Sequence, residues 1–337
     1  MTTATDALAQ LALPDEPDTW TNFDPPAGVH TLQARASLHA TDFALLPSDL
    51  GRRVRVSYDP QGVLQLDAPG GPFRLRRLAL RGLTRRLGVA LRPCDPVLAV
   101  QRLQEALARH GRALLLRVVG GEVRAVLGSG YGPVDNATIG AELVRAAERL
   151  GASLCVRGFG SGLRTLVRLT MPSAPRSVRI GDVVERGVDV ANSEVGLGAL
   201  RIVPVVHRLA CSNGMRIVDA RRGWRLVHVG DPDRLAAELT SHVEAALQAT
   251  LSAVDRFAHA SRVRVASQES VADELIDIGF SPTAAQRILD QATDDAGDTA
   301  ITRMDVANAV TWIAQSCPRH SRRARLEELA YRYLVRG

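Results

Sequence analysis

LRIVPVVHRLACSNGMRIV, residues 200–218, is a run of apolar and β-branched residues broken once by a short cluster of small and polar ones. Leu200 to Ala210 is apolar enough for a central strand, and Pro204, with no N–H to offer a ladder, marks a bulge or an edge. Asn213-Gly214 is a favoured turn pair between strands, so Cys211 to Gly214 is expected to turn one strand into the next. The stretch therefore predicts antiparallel pairing.

Working outward, all of 152–230 reads as β structure, with a hairpin at the glycines of GFGSGLR (158–164). Upstream, RRVRVSYD-PQG-VLQLDA (52–68) and RALLLRVV-GG-EVRAVLGS (112–129) are two more hairpins, the second joined by a two-residue glycine loop. Between them, Leu75, Leu78, Leu80, Leu83 and Leu87 fall at helical spacing, and Arg76, Arg77, Arg81, Arg85 and Arg86 occupy the other face. A second helix begins at Asp95-Pro96, a capping residue followed by proline at the first helical position, and ends near Gly111. A third follows Asp135-Asn136. Beyond Asp231-Pro232 a stripe from Leu235 to Phe257 predicts a helix over 233–260, with shorter helices at 268–278, 282–292, 302–316 and 321–335. The fold class expected is α+β: a mainly antiparallel sheet built from hairpins with packed helices, then a helical C-terminal region. Residues 1–28, rich in Pro, Asp and Thr, are expected to be a flexible leader, 29–230 a basic core domain, and 231–337 the helical region.

Composition removes several chemistries. All 42 basic residues are arginine, so a Walker-type phosphate-loop lysine and a Schiff base are excluded. Cys94, Cys155, Cys211 and Cys317 lie far apart with no C-x-x-C and are expected to be buried small hydrophobes. Cys211 and His207 are four residues apart on a strand, about 13 Å, too far for a nucleophile and its base. The eight histidines show no metal-ligand spacing, and Asp294, Asp295 and Asp298 do not form an EF-hand pattern. No run is long and apolar enough to span a membrane, and the N-terminus carries no signal-type stretch, so the protein is expected in the cytoplasm.

Charge is distributed unevenly. Residues 51–225 hold 29 arginines against 13 acids, or +16, while the rest holds 13 against 23, or −10. Such a field attracts phosphate backbones. Arginine in a strand is costly unless one sheet face meets water or an anion, so Arg117, Arg124, Arg157, Arg164, Arg168, Arg208, Arg216, Arg221 and Arg222 are the expected nucleic-acid contacts, clustered on one exposed side of the β region. Aromatics make up 4%, too few for a base-stacking platform, so binding should be to the backbone and depend on salt. No cofactor is required by this reading. The alternative is a nuclease in which Asp135, Glu194 and Asp219 hold Mg²⁺ or Mn²⁺.

VRAVLGSGYGPVDN (123–136), NSEVGLGALRIVPVVHRLACSNGM (192–215) and VANAVTWIAQ (306–315) followed by ARLEELA resemble a phage- and plasmid-like family known as domain of unknown function 932. The resemblance spans most of 75–335. It implies a setting among the replication and recombination functions of mobile elements, and hence a nucleic-acid partner. The expected partner is DNA, single-stranded DNA among its forms and RNA the alternative, in repair or recombination, with the protein acting as a homo-oligomer. It implies no catalytic residues.

Overall fold

The computed structural model describes residues 13–15, 19–22, 41–91, 95–149, 155–161, 163–179, 182–208, 213–216, 224–317 and 320–336. Two sheets carry the fold, and it is α+β as the sequence predicts. The first sheet contains β2 (Thr41–Leu45), β3 (Arg55–Tyr58), β4 (Leu64–Ala68), β5 (Gly71–Leu75), β6 (Leu114–Val119) and β7 (Glu122–Gly128), in the order β2-β6-β7-β5-β4-β3. All its pairs are antiparallel except β5 with β7. Helices α1 (Arg77–Leu87) and α2 (Pro96–Arg109) cover one face, burying Leu80, Leu83, Leu103 and Leu107 against Leu66, Leu75, Leu114 and Leu116. Alternation in LLLRVV sends Leu114, Leu116 and Val118 to that face and Arg117 to the opposite one. Helix α1 lies so close to β7 that a Cβ on Gly82 would stand 2.9 Å from the Val126 carbonyl oxygen, which is why a helix interior tolerates glycine there.

The second sheet holds β1 (Thr19–Asn22), β8 (Cys155–Ser161), β9 (Thr165–Arg179), β10 (Asp182–Asn192), β11 (Leu200–Arg208) and β12 (Asn213–Arg216) in that order, with β13 (Trp224–Leu226) also on β11. Every pair is antiparallel. Pro204 sits opposite Val188 of β10. On the other side of β11, β12 pairs with 205–208 and β13 with 200–202, so the proline falls in the gap between them. A residue without an N–H thus stands where that edge has no ladder to feed. Asn213-Gly214 corrects the turn reading: both are in register within β12, opposite Arg208 and His207, while residues 209–212 lie outside the described residues.

Helices α3 (Asn136–Arg149) and α4 (Pro232–Ala260) pack on the face of the second sheet formed by Val167, Leu169, Val188, Val190 and Ile202. The N-terminal half of α4, with Leu239, Val243 and Leu247, fills this core; its C-terminal half, with Val254 and Phe257, enters a helical core with α5 (Gln268–Asp277), α6 (Pro282–Ala296), α7 (Arg303–Gln315) and α8 (His320–Leu334). Helix α4, which begins at the boundary expected at residue 231, thus contributes to both cores. Within the segment expected to be a leader, Thr19–Asn22 pairs with Gly158–Ser161, and Leu13 bridges Arg76, with Leu13 N donating to Leu75 O at 2.9 Å and Arg77 N to Leu13 O at 2.9 Å. Cys317 is half-buried rather than fully buried; Cys94 and Cys211 lie outside the described residues, and Cys155 is placed only as a position on β8. Among the described residues, no helix is long and apolar enough to cross a membrane.

Candidate functional site

The strand arginines do not form the expected exposed row. Arg117 is 1% exposed; its Nε stands 3.1 Å from Asp42 Oδ1 and its Nη2 bonds Asp135. Arg124 is the extra residue of a bulge, since Arg117 faces Ala125 and Val118 faces Val123. The bulge turns its guanidinium inward, where Nη1 donates to Glu194 Oε2 at 3.1 Å. Arg168 points away from the face of Val167 and Leu169. Its Nε and Nη2 donate to Asp189 at 2.9 and 2.8 Å, its Nη1 and Nη2 to Glu327 of α8 at 3.0 and 2.6 Å. These three arginines are internal clamps. The physical reason is that each sheet face is covered by a further layer, so a strand charge finds a carboxylate inside instead of water. Arg164 alone of the four with described side chains is exposed, its Nη2 donating to Leu197 O at 3.1 Å. Arg157, Arg208 and Arg216 are placed only as positions on β8, β11 and β12, while Arg221, Arg222 and Asp219 lie outside the described residues.

Around Arg117 and Arg124 the chain assembles a polar seam between the two sheets. Glu194, in the connection from β10 to β11, accepts the backbone N–H of Asn136 at 2.7 Å and so caps α3 from a distance in sequence. Asn192 donates to Val134 O and to Asn136 Oδ1, Ser193 Oγ donates to Leu163 O, and the Tyr131 hydroxyl donates to Ser193 O at 2.9 Å. The His228 ring stacks on Tyr131 at 5.1 Å between centroids, with its Nδ1 3.3 Å from Gly132 O. Burial pushes the Tyr131 hydroxyl up to about 12 and the His228 imidazole down, so both are neutral near pH 7. Burial also raises the Asp42 carboxyl, against the pull of Arg117 and with Asp135 and Glu194 adding to the rise. Asp135 and Glu194 do come together here, at the N-terminus of α3, but each is bound by a guanidinium. Among the described residues no group of three or more His, Cys, Asp or Glu side chains is arranged to hold a metal ion. The seam is a structural joint with two carboxylates, Asp42 and Asp135, about a quarter exposed at 25% and 22%.

A row of exposed cations stands elsewhere, on the outer side of a helix that covers the first sheet. Residues 51–112 contain 13 arginines and four acids, and no acid falls between 71 and 94. On α1, Arg77, Arg81 and Arg85 recur at four-residue spacing, one above another, with Arg81, Arg85 and Arg86 exposed. The Arg86 Nε donates to Val126 O at 3.1 Å, and burial together with the neighbouring Arg85 lowers its pKa, the mark of crowded cations. Arg52, Arg53 and Arg55 before and on β3, and Arg102 and Arg109 on α2, are also exposed. Asp15 caps α1, its Oδ1 accepting the Leu78 N–H at 2.8 Å. These arginines are legible as the polar face of an amphipathic helix; what would have selected them over the strand positions is the four-residue repeat without any acid.

Among the curated proteins nothing matches this chain, and no solved structure matches it. The family profile described as "Domain of unknown function (DUF932)" matches residues 123–311, which include Arg124, Tyr131, Asp135, Glu194 and His228 of the seam and leave α1 outside. That match covers more than half of the sequence, and the chain belongs to the domain of unknown function 932 family.

Proposed function

We propose that the protein binds nucleic acid, DNA in the first place, through arginine contacts from α1 to the sugar-phosphate backbone, and serves repair or recombination in the cytoplasm. The observation that carries this reading is the Arg77, Arg81, Arg85 row on a helix with no acid of its own. Like charges one turn apart work against their own helix by a few tenths of a kcal/mol per pair. Burial of Leu80 and Leu83 offsets that repulsion, and a bound polyanion relieves it. Guanidinium groups suit phosphate oxygens because they donate in a planar fork. Exposed Arg164 remains a candidate contact, as do Arg157, Arg208, Arg216, Arg221 and Arg222 on their sequence positions.

The test is fluorescence anisotropy with labelled single-stranded DNA, duplex DNA and RNA of one length at two salt concentrations. Each phosphate contact on duplex DNA contributes about −0.9 to the slope of log K against log salt, so Arg81→Ala with Arg85→Ala should flatten it by about 2 and weaken all sequences alike. Unchanged affinity of the double variant at low salt would sink the proposal. A nuclease working through Mg²⁺ or Mn²⁺ would have to draw Asp135 and Glu194 away from Arg117 and Arg124; cut strands with Mn²⁺ and intact ones with EDTA would favour it.

A further inference from the structure

The acidic counterpart of α1 is on the same chain. Residues 268–298 carry eight acids and a single arginine, Arg287. On α5, Glu269, Asp273 and Asp277 recur at four-residue spacing and all are exposed, while Val271 and Leu275 face the helical core and Glu274 turns to Arg303, 2.8 Å away. Four further aspartates on and just after α6 are exposed. Arg336 reaches Asp277 at 3.7 Å, between side chains that are 47% and 70% exposed. Three carboxylates thus stand about 6 Å apart along one helix, the interval that separates the three guanidiniums along α1.

From this match we infer that the acidic face of α5 docks on the arginine face of α1 in a second copy of the chain. The inference rests on the reading of α1 as a polyanion-binding face: α5 occupies that face when nucleic acid is absent, and nucleic acid displaces it. Charge complementarity and equal spacing identify the occupant, because the exposed Arg81 and Arg85 repel each other in an isolated copy, as do Glu269 and Asp273, and the two pairs carry opposite charge at the same interval. The contact joins unlike faces, so two copies either exchange it reciprocally about a twofold axis or continue head to tail. Exposed pairs are weak and screened by salt, so the association should be reversible and confined to low ionic strength.

Sedimentation velocity on the full chain over a range of concentrations, without nucleic acid, tests this at about 0.1 M and about 1 M salt, where the screening length falls from about 10 Å to about 3 Å. The wild type should self-associate at the lower salt and be monomeric at the higher. Arg81→Glu with Arg85→Glu, or Glu269→Arg with Asp273→Arg, should each weaken the association by about tenfold or more, since attraction becomes repulsion at two pairs. An equimolar mixture of the two double variants should restore it. All four positions are exposed, and unchanged circular dichroism and melting of each variant will show that it folds. A wild type that stays monomeric at the lower salt, association that persists at the higher, or a mixture that fails to associate would each overturn the inference. The nucleic-acid reading is tested separately by anisotropy: binding without self-association removes only the docking, and self-association without binding removes only the ligand.

Discussion

Replacing Arg168 with methionine removes a guanidinium that bonds both Asp189 and Glu327, whose side chains are 0% and 2% exposed. Taking one partner from a buried charge network leaves an uncompensated charge and costs about 3–5 kcal/mol. Arg323, one turn before Glu327 on α8, has its Nε 3.4 Å from the Glu327 carboxylate, and its charge acts on Asp189 as well, so it compensates part of the loss. Neutralising a carboxylate in the same chain, with Asp189→Asn or Glu327→Gln added to Arg168→Met, should recover part of the stability. Urea unfolding followed by far-ultraviolet circular dichroism gives the free energies. In a thermal scan the single variant should melt roughly 6–10 °C lower, at about 2 °C per kcal/mol, the low end suited to a long chain. A loss below about 1 kcal/mol for Arg168→Met, the range of exposed ion pairs, would refute the assignment of this network to the interior. No recovery by either second substitution would refute the unbalanced buried charge as the cause of the loss.

Asp15→Ala should destabilise the protein by about 1 kcal/mol through loss of the acceptor for the Leu78 N–H, and Asp15→Asn, which keeps an acceptor, by clearly less; chemical unfolding of the pair checks it. His228 predicts a pH dependence. Its folded pKa lies below the ordinary 6.5, so the unfolded chain binds more protons once the pH falls under that value. The stability it contributes is complete above about pH 6.5 and is lost as the pH falls toward the folded value. Melting temperatures between about pH 7.5 and about pH 5.5 should drop more steeply for wild type than for His228→Gln; parallel curves would contradict the buried neutral ring. Asp42, raised above 3.8, has the opposite sign: it favours the fold while protonated, and that contribution is lost as the pH rises through its folded value.

Helices were legible because their signals are local. Asp95-Pro96 and Asp231-Pro232 cap and open α2 and α4 as the sequence predicts, with side chains accepting from Val97 N and Asp233 N. Where a strand runs into a helix the reading blurred: Phe73 and Leu75 belong to β5, but Leu75 falls in helical phase with Leu78 and so merged with α1. Pairing between distant segments was out of reach. Nothing in Thr19–Asn22 announces an edge strand on β8, because its partner lies well over a hundred residues away and both are too short to specify each other by composition. The division of the strands between two sheets was hidden for the same reason.

The arginines divide along the same line. In a strand, alternation says which of two faces a residue takes, but not whether that face meets water or another layer. Arg168 and Arg164 read alike, yet one is held by a glutamate 159 residues away and the other is exposed. A helix lying on a sheet has less freedom. Once Leu80 and Leu83 are committed to the core, the positions half a turn round must face outward, so Arg81 and Arg85 are surface cations by the same periodicity that predicts the helix. The charge imbalance along the chain is therefore informative where it falls on helices that cap a sheet. Where it falls on strands between layers, a positive count measures internal pairing as readily as an external field, and the basic surface has to be sought on α1 and α2.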